Sequence, residues 1–183
     1  LYGLINNSLR DMTIARWGAD RWELVAARAG VADIIFQNMS PYDDSLTYSL
    51  VGALSEETTI DASTLLRDFG VYWIRVVAPK QYGDLLAFTG RTLPVFLSNL
   101  DRMHDRVATI FQNLEQPSFS VEILSDTALK LHYRSRRVGL APFVIGLLEG
   151  LGERFSTKVS VTQIASRGDG AEHDVFLVEH GAA

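Results

Sequence analysis

The chain has 183 residues, 47% hydrophobic and 21% charged, enough for one soluble domain with a substantial core. Its net charge of −5, with Lys and Arg scattered rather than gathered on one predicted face, argues against nucleic acid as a partner. A cysteine count of zero excludes disulfides, thiolate ligation of a metal, thiol redox sensing and any cysteine-based zinc site.

No run approaches the roughly twenty apolar residues that a spanning helix needs, and Leu1-Tyr2-Gly3 lacks the basic flank and cleavage site of a signal peptide. The expectation is a cytoplasmic protein with no membrane partner, one domain over residues 1–183, without internal repeats. In chain order, the turn signals predict helices over Gly3–Trp17, closed by Gly18, and Asp20–Arg28, closed by Gly30. Two more are predicted over Asp44–Leu54 and Asp61–Val76, the latter with Gly70 inside it. Asp61 or Ser63 can cap the fourth helix, and Leu65, Phe69, Tyr72, Trp73 and Val76 recur at spacings of three and four to make one apolar face. A short helix follows Tyr82-Gly83 and turns at Gly90. A long amphipathic helix is then predicted from Leu93-Pro94, where proline is tolerated in the first turn, to about Gln112. Leu97, Leu100, Val107 and Phe111 form its apolar seam, and His104 falls among them and faces inward.

Beyond that helix the period changes from helical to alternating. Phe119, Val121 and Ile123 alternate with polar residues, Ser125-Asp126-Thr127 turns the chain, and Leu129, Leu131 and Tyr133 alternate again, which predicts a β-hairpin. Val138–Phe155 reads as an apolar helix whose glycines, at 139, 146, 150 and 152, permit close approach to a flat ligand or a neighbouring helix. Two last strands, Lys158–Ala165 and His173–Glu179, flank the turn Arg167-Gly168-Asp169-Gly170. The expected fold class is α+β, a helical N-terminal half packed with a small antiparallel four-stranded sheet.

Two features carry chemistry. In an extended segment Tyr133, Ser135 and Arg137 share one face and offer adjacent hydrogen-bond donors, a cradle for a dianion, while Arg134 and Arg136 take the other face. His104, on an apolar helix face, suits a soft metal ligand. Taken singly, each has an ordinary reading: a core histidine bonded to a carbonyl, and a strand end with Arg137 in a surface ion pair. Taken together they suit a planar cofactor that carries an iron and two carboxylates, which is haem. His132, His173 and His180 lie in strand-like or terminal segments and are expected at the surface.

These residues resemble the haem nitric oxide/oxygen-binding (H-NOX) family, which also supplies the haem domain of soluble guanylate cyclase. The resemblance runs from Tyr2-Gly3-Leu4-Ile5 through Asn99-Leu100-Asp101-Arg102-Met103-His104 and Pro117-Ser118-Phe119 to Leu131-His132-Tyr133-Arg134-Ser135-Arg136-Arg137 and Val138-Gly139-Leu140-Ala141-Pro142. It implies haem b (iron protoporphyrin IX) buried between the helical half and the sheet, with His104 as the proximal ligand. Tyr133, Ser135 and Arg137 would hold the propionates, and Ile5 and Pro117 would press on the ring; Trp73 and Phe143 are candidates for the distal wall, with core packing the ordinary reading of each.

Family members that hold oxygen stably carry a tyrosine early in the helix after the Tyr-x-Ser-x-Arg run. The matching stretch here, residues 139–145, has no hydroxyl, so NO and CO are the expected ligands. The resemblance implies a sensor rather than an enzyme, which signals by a conformational change once His104 is released. Its expected partner is a separate histidine kinase or cyclic-dinucleotide enzyme. The rivals are a stable oxygen sensor, a peroxidase-like haem enzyme, for which the candidate lid supplies no distal acid-base group, and a haem-free small-molecule or interaction domain on the same fold whose Tyr-x-Ser-x-Arg donors bind some other carboxylate.

Overall fold

A computed structural model describes residues 1–109 and 115–182. By its contacts the chain divides into two compact units, Leu1–Phe69 and Gly70–Ala183.

The first unit is built on three helices, α1 (Gly3–Trp17), α2 (Ala19–Arg28) and α3 (Asp44–Thr58), close to the predicted spans. The start of α1 is fastened to the loop before α3. Tyr42 N donates to Leu1 O at 2.7 Å, and Gly3 N donates to Ser40 O at 3.0 Å. A side chain at position 3 would put its Cβ 2.1 Å from Gln37 O, so only glycine fits there. Inside the unit, fully buried Asn6 accepts from Thr47 Oγ1 at 2.6 Å, a polar pair that ties α1 to α3 within an apolar surround. Asp43 caps α3 through Ser45 N at 2.8 Å.

Helix α4 (Ala62–Tyr72) carries the boundary between the units. Asp61, one of the two predicted caps, accepts from Thr64 N at 2.9 Å and Thr64 Oγ1 at 2.6 Å. The predicted continuation to Val76 is not α-helical: Trp73–Val77 forms a π-helical turn before α5 (Ala78–Thr89). Proline supplies the reason. Pro79 has no N–H to give Arg75 O four residues back and its ring crowds that carbonyl, so the turn before it widens.

The predicted single helix after Gly90 is two, α6 (Leu93–Ser98) and α7 (Leu100–Ala108), broken at Asn99. Asn99 leaves helical geometry (φ −103°, ψ 5°) and its side-chain amide donates to Thr89 O at 2.9 Å, the competition with backbone that makes asparagine a poor interior residue. The predicted end of this helix, with Phe111 and Gln112, lies outside the described residues.

The hairpin is β1 (Ser118–Ser125) with β2 (Ala128–Arg134), and the later pair is β3 (Thr157–Ala165) with β4 (Asp174–Ala182). They form one antiparallel sheet in the order β1-β2-β4-β3, with Phe119 opposite Tyr133 and Leu131 opposite Phe176. Alternation sends Phe119, Leu129, Leu131, Tyr133, Phe176 and Val178 into one buried face. Against it pack α6, through Leu93, Phe96 and Leu97, and α8 (Ala141–Arg154), through Val144, Leu148 and Leu151. Helix α8 starts three residues later than predicted because Pro142 marks its first turn.

Candidate functional site

His104 sits in the middle of α7, and the two acidic residues that flank it fasten the segment leading into β1. Asp101 accepts from Phe119 N at 2.5 Å and from Ser118 Oγ at 3.1 Å; Asp105, one turn later, accepts from Gln116 Nε2 at 2.9 Å. The half-buried Pro117 is therefore held between two residues tied to the histidine helix. The imidazole lies over Phe119, centroids 5.5 Å apart and planes 23° off parallel. Its Nδ1 is buried with no hydrogen-bond partner among the described residues. Burial lowers the pKa of His104, against the pull of Asp101 and then Asp105, and so favours the neutral imidazole.

Tyr133 is 4% exposed and tilts against Phe119, with 5.3 Å between centroids. The strand ends at Arg134, so the predicted strand-face alternation does not extend to Ser135 and Arg137. A turn places them instead: Ser135 Oγ accepts from Arg137 N at 3.1 Å. Ser135 and Arg137 both lie near enough to the Tyr133 phenol to favour its charged form. Burial raises the Tyr133 pKa, with Ser135 and Arg137 opposing it, so the phenol keeps its proton to donate. Arg137 Nη1 donates to Glu115 O at 2.7 Å, which joins this turn to the segment before Pro117. Arg134 instead donates to Ser120 Oγ at 3.2 Å, and Arg136 pairs with Glu115 at 3.0 Å.

Trp73 opens the π-helical turn and packs on the core that contains Tyr133 and Phe119, as do Tyr82, Ala141 and Ile145. Phe143 is half-buried outside that cluster, and its carbonyl oxygen is 2.3 Å from where a Cβ on Gly70 would stand, so a glycine at 70 lets its backbone meet that of α8 directly. Ile5 belongs to the first unit, half-buried on α1. Tyr82, packed on the same core as Trp73, is not singled out by the sequence. Its one signal is conformational, a kink in α5 at φ −137° and ψ 27°, with burial raising its pKa. Arg167 and the Asp101/Asp105 pair also escaped sequence reasoning, because their roles depend on contacts far along the chain. His132 and His173, expected as plain surface residues, bond one another at 2.8 Å on the sheet.

These donors fit haem. A single neutral imidazole with a buried nitrogen lacking a partner is an incomplete metal site by itself, and among the described residues no group of three or more His, Cys, Asp or Glu could hold a metal. A ring that brings four nitrogens and needs one axial ligand completes such a site. The phenol, hydroxyl and guanidinium of the Tyr133 to Arg137 turn are the donor types that bind carboxylates.

A family model described as Haem-NO-binding matches residues 2–163. Soluble guanylate cyclase gcy-31 of Caenorhabditis elegans is 31% identical over 181 residues, which is 98% of this chain and 25% of that protein. Guanylate cyclase soluble subunit beta-2 of Rattus norvegicus is 35% identical over 120 residues, 62% of this chain and 18% of that protein. The chain spans about a quarter or less of the length of these cyclases. An H-NOX protein from Shewanella oneidensis in the Fe(II)NO ligation state superposes with a TM-score of 0.90 at 21% identity, covering 99% of both chains. A mutant H-NOX protein from S. oneidensis, in the Fe(II) ligation state, gives 0.91 at 20% identity, covering 99% of this chain and 96% of that one. At such identities the likeness speaks for the fold: helices with a four-stranded antiparallel sheet in the arrangement of the H-NOX structures. The family match across the site residues of the second unit, on a donor set that suits haem, makes this chain a member of the haem-NO-binding (H-NOX) family of haem-binding gas sensors.

Proposed function

We propose that residues 1–183 act as one sensor domain that binds NO and CO at ferrous haem b and reports their presence by moving α7. The family match supports treating the two units as one domain, since it runs unbroken across the boundary between them. In this reading His104 is the axial ligand. Tyr133, Ser135 and Arg137 hold the propionates, Ile5 and Pro117 bear on the ring, and Trp73 and Phe143 line the distal side. The haem supplies a ferrous iron with one position open to a diatomic gas.

The chain's own residues supply the tether and the response. His104 holds α7 while it is ligated, and its release frees a helix that Asp101 and Asp105 link to the Pro117 segment. Movement of α7 therefore carries the start of β1 with it. Ligand state becomes a change at the surface of α7 and β1, which a partner can sense only if it binds the two states with different affinity. The proposed partner is a histidine kinase or a cyclic-dinucleotide enzyme. The absence of a hydroxyl in residues 139–145 favours NO and CO over oxygen, whose bound form takes on negative charge and gains most from a donor.

The observation that carries this reading is the buried Nδ1 of His104, without a partner, on a neutral imidazole. Visible spectra of the reduced protein, alone and then under NO, CO and air, test it. The expected result is a haem spectrum that shifts with NO and CO and forms no lasting complex in air, with the unliganded spectrum altered in His104→Gly. A protein that stays colourless with ample hemin overturns the reading. A persistently six-coordinate NO complex at room temperature overturns the release of His104.

A further inference from the structure

We propose that Arg167 is the second cation of the carboxylate clasp, reaching the Tyr133 to Arg137 turn from the β3–β4 connection to take the acid group that Arg137 does not. This assignment rests on the haem reading and adds a residue that the Tyr-x-Ser-x-Arg pattern does not contain.

The backbone of Arg167 is fixed from several sides. Ser166 caps the short turn Arg167–Asp169 by accepting from Gly168 N at 3.0 Å, and its carbonyl accepts from Ala171 N at 3.0 Å. Arg167 N itself donates to Asp174 Oδ1 at 3.0 Å, and the same oxygen accepts from Gln163 Nε2 at 3.0 Å. From this anchored base the guanidinium donates through Nη1 to Ser135 O. That single contact uses one of the five N–H groups of a guanidinium.

No carboxylate forms an ion pair with Arg167 among the described residues, although the side chain is half-buried. A half-buried cation with most donors unspent is costly unless an anion arrives. Tyr133 shows where that anion would sit. Arg167 Nη1 meets the carbonyl of Ser135, whose Oγ accepts from Arg137 N, and both arginines act on the Tyr133 phenol as nearby charges, so the two belong to one turn. Asp174 acts on the same phenol with opposite sign, but its Oδ1 is already engaged by Arg167 N and Gln163. Two cations against one occupied carboxylate leave the site net positive. Haem carries two acid groups, and Arg137 alone would neutralise only one.

The alternative is that Arg167 merely braces Ser135 through its carbonyl, and the experiment separates the two roles. Haem loss into an excess of an apoprotein acceptor is followed by absorbance for wild type, Arg167→Gln and Arg167→Lys, each loaded with hemin or with hemin dimethyl ester, in which both acid groups are masked. If Arg167 binds a propionate, Arg167→Gln releases hemin about tenfold faster than wild type, the scale of one charge-assisted hydrogen bond. Arg167→Lys falls between them, and all three release the diester at the same rate. Equal rates with hemin overturn the assignment. So does a hemin loss that Arg167→Gln no longer accelerates once Tyr133→Phe, Ser135→Ala and Arg137→Gln have removed the turn's own donors, which would mark Arg167 as a brace acting through them. Should Arg167→Gln not fold, Arg167→Lys keeps the charge but loses the fork, and its hemin loss with and without the turn's own donors separates the same two roles. A wild type that takes up neither compound refutes the haem reading itself, a result distinct from either outcome for Arg167.

Discussion

His104 owes its chemistry to what surrounds it rather than to its type. Burial depresses its pKa, so the folded chain holds a neutral imidazole where the unfolded chain protonates near the usual value of about 6.5. Above that pH both states are neutral and the residue contributes nothing. Below it the unfolded state binds the extra proton, so stability falls as pH falls, by up to about 1.4 kcal/mol per pH unit for one group. Urea unfolding of the haem-free chain between pH 7.5 and 5.5 should show wild type losing more stability than His104→Leu. Parallel slopes for the two proteins would mean that the histidine titrates as freely folded as unfolded. Asp101 makes a second residue-scale case. Removing it in Asp101→Ala leaves Phe119 N without its acceptor, at a cost of about 1–3 kcal/mol, whereas Asp101→Asn keeps an oxygen there and should cost less. Urea midpoints of the two variants decide this, and equal losses would show that the negative charge, not the acceptor, holds the β1 start.

At the scale of elements, turn signals and hydrophobic period together located the four strands and most helical stretches of the described fold but not the breaks between helices. Asn99 looked like one polar residue inside a continuous stripe, and what ends α6 there is a carbonyl ten residues back, on Thr89, that no local window includes. The widened turn at Trp73–Val77 was in principle readable from Pro79, whose missing N–H falls on Arg75 O. Strand alternation likewise placed Tyr133 on the buried face but stopped being a guide one residue later, where the chain leaves the sheet. The glycines of α8 were read as sites of close approach without an identified neighbour. One neighbour is Ile74: a Cβ on Gly150 would lie 2.8 Å from Ile74 Cβ, both atoms sitting near the backbone where neither can swing away. Gly150→Ala should therefore destabilise by about 1–3 kcal/mol, the usual cost of overpacking. Pairing it with Ile74→Ala should cost less than the sum of the two single changes, because the truncated side chain vacates the space. Strict additivity in thermal or urea unfolding would place the strain elsewhere.

For the molecule as a whole, the class of fold was legible because it rests on local pattern, whereas the proposed clasp is only partly written in local pattern, since Arg167 reaches it through a tertiary contact. His104, Tyr133 and Arg137 could be picked from a linear string; Arg167 could not, since its link to Ser135 spans 32 residues, with α8 and β3 between them. The same distribution along the chain makes cofactor binding a global stabiliser. A ligand that binds only the folded chain adds RT ln(1 + [L]/Kd), about 2.7 kcal/mol at a hundredfold excess over Kd. Thermal unfolding followed by helical circular dichroism should show Tm rising with added hemin in wild type. His104→Gly, which loses the axial bond but keeps the clasp, should retain a smaller rise, and Tyr133→Phe with Arg137→Gln, which keeps the axial bond but weakens the clasp, should lose a separate share. On the proposed reading these groups hold different parts of one ligand, so removing all three should abolish the dependence on hemin concentration. A triple variant whose Tm still climbs with hemin would mean that the ring is held chiefly by apolar packing, with the imidazole and the clasp setting orientation rather than affinity.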